Sequence, residues 1–298
     1  MTARETDDRI VLLTGGTSGI GRIAATTLAE RGATVAVVGR DRSRGESLAA
    51  ESSSLPGEIR FHRADLATQD AVRSLADEVR ESYDRLDALV HNAGLSASER
   101  TETADGIERT LAVNHLAPYL LTHELIDTLL ASAPARIVTT GSEVHRRASL
   151  DFDDLQFERD YDALAAYSRS KLALLAFTLE LAERLPDEVT ANSFHPGFVP
   201  STKLFRDAAL TTRLAVRIAG AVPGVGTSRQ EGARRLVRLV TDPEFGEQTG
   251  VYVTGDGIVA PSDQAADPEL QTRLWERSAD LVGVDTAWLS AEELVGTR

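Results

Sequence analysis

The chain has 298 residues, enough for one large α/β domain or two modest ones, and no cysteine, which excludes disulfides, thiol catalysis and cysteine-based metal sites. Its net charge of −14 sets the field of the whole molecule against nucleic acid and anionic membranes. Its six histidines show no metal-ligand spacing, so no metal is expected. Only eight residues precede the first apolar run, which does not fit a signal peptide. The nearest approach to a membrane span, Leu214 to Val225, is short and contains Arg217. The expectation is a cytoplasmic protein. Of 32 cationic residues only Lys171 and Lys203 are lysines, so a lysine in a motif carries information.

In chain order, β-rich runs occupy Arg9–Thr14, Ala33–Gly39, Glu58–Arg63, Leu86–Asn92, Ala135–Gly141, Glu188–Phe194 and Gly250–Thr254. Between them lie helical patterns with apolar residues three or four apart, such as Ala71-Val72-Leu75-Val79. Several strands are continuous apolar runs, as expected of strands covered on both faces. The alternation predicts a Rossmann fold: a doubly wound, mostly parallel seven-stranded sheet with helices on both faces and right-handed crossovers. No linker or repeat interrupts residues 1–298, which read as a single domain. Two connections are long, Glu143–Asp160 and Thr202–Ser228, and both follow strands at the end where such sheets bind ligands. A helical tail is expected over 264–298.

The first strand runs into "TGGTSGIG", residues 14–21. Gly15, Gly19 and Gly21 suit a tight β–α turn that lets the backbone approach a pyrophosphate and lets strand and helix pack closely. The helix that follows, about Ile20–Arg31, points the positive end of its dipole at such a group. The second strand ends "VAVVGRDRSR". An Asp or Glu at its end would accept from a ribose 2′-hydroxyl; Gly39 stands there instead, with Arg40 next and Arg42 and Arg44 close behind. A guanidinium binds phosphate through paired charge-assisted bonds, which makes Arg40 the expected 2′-phosphate ligand and NADP, not NAD, the expected cofactor. Asp41 could favour NAD, but fits the start of the next helix, where Ser43-x-x-Glu46 reads as a capping box.

Tyr167 and Lys171 are four apart on a predicted helix, Asp162–Leu185, and so share a face. An ammonium beside a phenol, whose ordinary pKa is ~10, favours the phenolate and lowers that value. Ser142 closes the fifth strand in "RIVTTGSEVH"; it is either a turn residue or a hydroxyl that steadies charge developing on a substrate oxygen. His91, His145 and His195 fall near strand ends and read as pocket lining or ordinary hydrogen-bonding residues.

These motifs together resemble the short-chain dehydrogenase/reductase family, and the resemblance spans nearly the whole chain. They are Thr14 to Gly21, Asp65-Leu66, Asn92-Ala93-Gly94, Asn114 in "VNHLAPYLLT", Tyr167-x-x-x-Lys171 and Pro196-Gly197, in that order. The retinol-dehydrogenase-like branch is the nearest likeness, through "TADGIERTLAVNHL", the long gap from Ser142 to Tyr167, and "LWERSADLVG". The resemblance implies catalysis by Asn114, Ser142, Tyr167 and Lys171, with Asn114 holding a water that links Lys171 to solvent. It implies cofactor contacts from Gly15, Thr17, Ser18, Gly19, Ile20, Gly21, Asp65, Leu66, Asn92, Ala93, Gly94, Tyr167, Lys171, Pro196, Gly197, Val199 and Ser201. It further implies a small carbonyl or alcohol substrate, Tyr167 as acid/base, and subunit contacts through the helices around 103–131 and 161–185. A cofactor-binding regulator without turnover and a nucleotide-sugar epimerase or dehydratase are the competing readings. The first usually lacks the tyrosine or lysine, and the second uses a different glycine spacing. Leu204, Phe205, Leu210 and Leu214 suggest a moderately hydrophobic substrate.

Overall fold

β1 (Ile10–Thr14), β2 (Thr34–Gly39) and β4 (Ala88–His91) form the middle of a parallel sheet because their alternate side chains can all be buried. Leu12, Val38 and Leu89 face one apolar layer, while Leu13, Val37 and Val90 face the other. The computed structural model describes residues 8–199, 226–255 and 257–289. Its remaining strands are β3 (Glu58–Arg63), β5 (Ala135–Thr140), β6 (Val189–His195), β7 (Tyr252–Thr254) and β8 (Gly257–Val259). They stand in the order β3-β2-β1-β4-β5-β6-β7-β8, parallel throughout except that β8 returns antiparallel to β7.

The sheet is therefore eight-stranded, one strand more than expected. The extra strand is three residues long and follows Gly255 (φ +55°), too short to show a period-two pattern in sequence. The order reverses between β1 and β4. Such a switch point opens a crevice outside the carboxyl ends of the strands.

One layer holds α1 (Gly19–Glu30) and α7 (Arg229–Thr241), whose Leu28, Leu236 and Val240 meet Val11, Val35 and Val138. The other holds α3 (Gln69–Ser82), α5 (Ala117–Ala131), α6 (Ala163–Arg184) and α9 (Pro268–Val282). Within it the Trp275 and Trp288 rings stack at 4.4 Å, and Trp288 donates from its indole to the Tyr119 hydroxyl at 2.8 Å. The C-terminal helix thus covers part of α5 and α6. α4 (Arg109–Leu111) passes through a π-turn, Ala112–Leu116, into α5. α2 (Arg42–Glu51) follows β2, and the short α8 (Glu244–Glu247) precedes β7.

Asp41 stands at the start of α2 as expected, whereas the Ser43–Glu46 box does not cap it. Asp41 is the N-cap, accepting from the Arg44 N–H at 3.1 Å, because the helix begins one residue before Ser43. Ser201, Leu204, Phe205, Leu210 and Leu214 lie outside the described residues, as does most of the 202–228 connection.

Candidate active site

The glycine turn and the Asn92-Ala93-Gly94 corner are held together by Thr14 at the end of β1. Its hydroxyl donates to the Val90 carbonyl at 3.2 Å and accepts from the N–H groups of Asn92 and Ala93 at 3.0 and 3.1 Å. The Asn92 amide donates to the carbonyls of Thr14 and Gly15 at 3.1 and 3.3 Å. Asn92 therefore fastens the two strand ends to each other. A Cβ on Gly21 would stand 2.5 Å from the Gly15 carbonyl oxygen and 2.6 Å from the Asn92 amide nitrogen. Gly21→Ala should accordingly cost about 1–3 kcal/mol in overpacking, visible as a lower denaturation midpoint.

Gly19 is different. At φ +59° its missing side chain would meet nothing within 4 Å. Ser18 is the N-cap of α1, yet its side chain makes no capping bond, so the first-turn amides of a 12-residue helix are not taken up by it. Open ground over uncapped amides, beside Thr17, Ser18 and Ile20, fits a pyrophosphate.

Farther along the crevice, a Cβ on Gly39 would lie 2.7 Å from Thr17 Cγ2, so Thr17 fills the ground where an acidic side chain would stand. Asp41 is engaged as the α2 cap and pairs with Arg44 at 3.1 Å. Arg40 is half-exposed, its guanidinium 4.0 Å from the Asp65 carboxylate. Leu66 is buried beside them. At the other side of the switch point, Pro196 and Gly197 follow β6, and Val199 is buried. Gly197 has φ +91°, and a Cβ there would strike Thr227 Oγ1 at 1.9 Å.

α6 carries Tyr167 and Lys171 on one face, and its N-cap is Asp162, which accepts from the Ala165 N–H at 2.7 Å. Both functional side chains are buried. Lys171 Nζ donates to the Thr140 carbonyl at the end of β5, at 2.7 Å, and stands 5.9 Å from the centre of the Tyr167 ring. Burial pushes the Tyr167 phenol up to about 12, opposed by its side-chain contact with Ser142. Burial also pulls the Lys171 ammonium down to about 8. The expected lowering of the phenol by its lysine does not arise: burial raises it and only Ser142 opposes that. Desolvation of both groups is the larger effect.

Asn114 lies within the π-turn. Its Oδ1 accepts from the Leu95 N–H at 2.9 Å, and its amide donates to the Leu95 carbonyl at 2.8 Å and to Ser170 Oγ at 2.9 Å. A Cβ on Gly94 would stand 3.4 Å from Asn114 Oδ1 and 3.6 Å from Lys171 Nζ, so these three residues border one space. The Thr140 hydroxyl is buried with no partner among the described residues.

The histidines divide. His91 meets Thr122 Oγ1 at 2.9 Å, and burial lowers it to about 3. His195 is lowered to about 4, chiefly by burial. His145 bonds the backbone of Ser142 itself, a role for which sequence offered only the spacing of three residues. Ser170, which supports Asn114, likewise carries no sequence signal of its own. Tyr167, Ser142, Lys171, Asn114 and Gly94 are therefore brought together, while Arg40 and Asp65 stand at the far end of the crevice. Among the described residues no group of His, Asp and Glu side chains could hold a metal, and no helix is long and apolar enough to cross a membrane.

A mostly parallel sheet with a glycine turn at its switch point and a buried Tyr–Lys pair beside it is the arrangement a nicotinamide-dependent oxidoreductase needs. The family model described as short chain dehydrogenase matches residues 9–212. The chain belongs to that family. Retinol dehydrogenase 13 of Homo sapiens is 36% identical over 283 residues, covering 93% of this chain and 85% of that protein. Polyprenol dehydrogenase of Mus musculus is 39% identical over 284 residues, covering 92% and 84%. A short chain dehydrogenase from Burkholderia cenocepacia, solved in complex with NADP, superposes with a TM-score of 0.67 at 29% identity, covering 86% and 98%. Within the family this chain is of the retinol-dehydrogenase-like branch.

Proposed function

We propose that the protein interconverts a carbonyl and an alcohol using NADP(H), with Tyr167 as acid/base. The observation that carries this reading is the convergence of Tyr167, Lys171 and Ser142 beside Gly94 at the strand ends. A nicotinamide bound in the crevice would supply or accept the hydride. The chain's own residues handle the proton. At neutral pH Tyr167 holds its phenolic proton, so it is ready to donate to an alkoxide oxygen as that charge develops. The Ser142 hydroxyl gives the same oxygen a hydrogen bond beside the buried Tyr167 and Lys171, where loss of water makes such a bond worth most. Lys171 spends one of its three N–H donors on the Thr140 carbonyl and keeps the others for ribose hydroxyls. The Asn114 side chain ties Leu95 to Ser170 and so braces the loop carrying Gly94 against α6, and its Oδ1 keeps a second lone pair for the water expected to link Lys171 to solvent.

The relatives' names direct the substrate reading toward bulky apolar alcohols and aldehydes, as in retinol and polyprenol. Purified protein with NADPH should therefore reduce all-trans-retinal or a polyprenal faster than a small ketone such as acetone. No NADPH oxidation with any of these carbonyls would overturn the substrate reading.

NADP is preferred to NAD in this reading because Arg40 flanks the crevice, Asp41 is occupied as a cap, and Thr17 fills the site of an acidic residue. NADPH should bind at least about tenfold tighter than NADH, equivalent to about 1.4 kcal/mol. Arg40→Ala should remove most of that difference by weakening NADPH alone, measured by fluorescence titration. Equal affinities in the unmutated protein would refute the assignment.

A further inference from the structure

The Ser142 carbonyl accepts twice from one residue. The His145 backbone N–H reaches it at 3.1 Å and His145 Nδ1 at 2.7 Å. The ring is almost wholly buried, at 1% exposure. Its other nitrogen, Nε2, faces the backbone N–H of Ser262 at 3.2 Å. An N–H only donates, so Nε2 must present its lone pair, and the single ring proton must sit on Nδ1. That is the neutral tautomer, and burial, the main influence on this ring, favours neutrality. Only this form satisfies both neighbours.

The surrounding contacts fix the ring in place. The Tyr252 ring of β7 lies edge-on at 5.1 Å, and its hydroxyl donates to Glu143 Oε1 at 2.9 Å. Arg146 donates from Nε to Glu143 at 2.9 Å and from Nη2 to the Ala260 carbonyl at 2.6 Å. The turn Glu143–Arg147, which begins at Ser142, is therefore tied at two points to the 260–262 segment. Ser142 is extended (φ −159°, ψ 143°), and its carbonyl group is what His145 holds.

We propose that His145, as the Nδ1–H tautomer, is a positioning residue that fixes the backbone of Ser142 and so aims the serine hydroxyl at the oxygen being reduced. The inference rests on the reading of Ser142 given above. Packing alone would be satisfied by any ring of similar size. A ring without nitrogen would leave the Ser142 carbonyl and the Ser262 N–H short of their partner and free the serine to shift.

Two measurements test this. In full-length protein carrying ring-¹⁵N histidine, the His145 resonances should show the proton on Nδ1. A proton on Nε2 would overturn the proposal with no reference to activity. In NADPH-dependent reduction of all-trans-retinal, His145→Phe should lower kcat by about tenfold to 10²-fold, as expected when a reacting group is misplaced. KM and the Kd for NADPH should stay within about twofold. His145→Asn, which restores a donor near Nδ1, should recover most of the loss. Added to Ser142→Ala, His145→Phe should cost little further. Wild-type kcat in His145→Phe beside an impaired Ser142→Ala, or losses that multiply in the double variant, would overturn the positioning role. A fully active Ser142→Ala would instead overturn the reading of the serine, while the tautomer measurement would still decide the His145 contact.

Discussion

Tyr167→Phe is expected to lower kcat for carbonyl reduction by about 10²–10⁴, the range for removing a positioned general acid. The Kd for NADPH should change far less, because the lost hydroxyl acts mainly on substrate. The ring itself should remain seated: Tyr167 is 6% exposed and packs within α6, so Phe keeps its apolar contacts. The pH dependence follows from burial. With the phenol pushed up to about 12, reduction should not lose its proton donor anywhere below that value. Alcohol oxidation needs the phenolate and should gain rate as pH rises. Stopped-flow reduction with saturating NADPH, paired with a cofactor titration, separates the two effects. Retention of more than about a tenth of wild-type kcat would remove Tyr167 from the acid's role, since even the low end of the general-acid range exceeds that.

The parts of this molecule that were legible in sequence are those decided by neighbouring residues. The apolar runs at Val11–Leu13 and Val35–Val38 allow little except a strand covered on both faces. Gly15 (φ +69°) and Gly21 mark a turn that side chains would block, and the spacing of Tyr167 and Lys171 fixes a shared helix face. The parts that were not legible depend on partners distant in the chain or on a balance of energies. His145 meets Ser262, 117 residues away. The π-turn at Ala112–Leu116 leaves no periodic mark, yet it is where Asn114 turns to Leu95. Sequence offers both Asp41 and Ser43 at the start of α2, because both residue types cap equally well, and only the helix start selects Asp41. The sign of the Tyr167 shift is the clearest case. Sequence shows that an ammonium is near, but not that both groups lose their water, and burial sets the direction of both shifts.

Lys171→Met should uncouple activity from stability. Lys171 is 3% exposed, and among the described residues its ammonium donates to the Thr140 carbonyl. Without the ammonium, kcat should fall by about 10² or more. NADPH should weaken by about tenfold or more, the worth of a hydrogen bond to a charged group. The stability effect has the opposite direction. Burial lowers this ammonium from 10.5 to about 8, so below pH 8 the folded chain holds a charge it would bind less tightly than the unfolded chain does. A shift of that size corresponds to about 3 kcal/mol of destabilisation in the wild type. The penalty is fully present below about pH 8, fades as pH rises because the unfolded chain alone stays protonated, and is gone above 10.5. Methionine fills the lysine stem's space without a charge, but leaves the Thr140 carbonyl unpaired at a cost of about 1–3 kcal/mol. The two terms nearly offset at pH 7, so the variant should fold as well as the wild type while being inactive. The decisive quantity is the difference between the two proteins across pH. Urea denaturation at pH 7 and at pH 10.5 should show the variant losing about 3 kcal/mol relative to the wild type, because only the wild type sheds a buried charge over that interval. A difference that stays constant with pH would mean that Lys171 keeps an ordinary pKa in the folded protein, and that burial does not govern this pair.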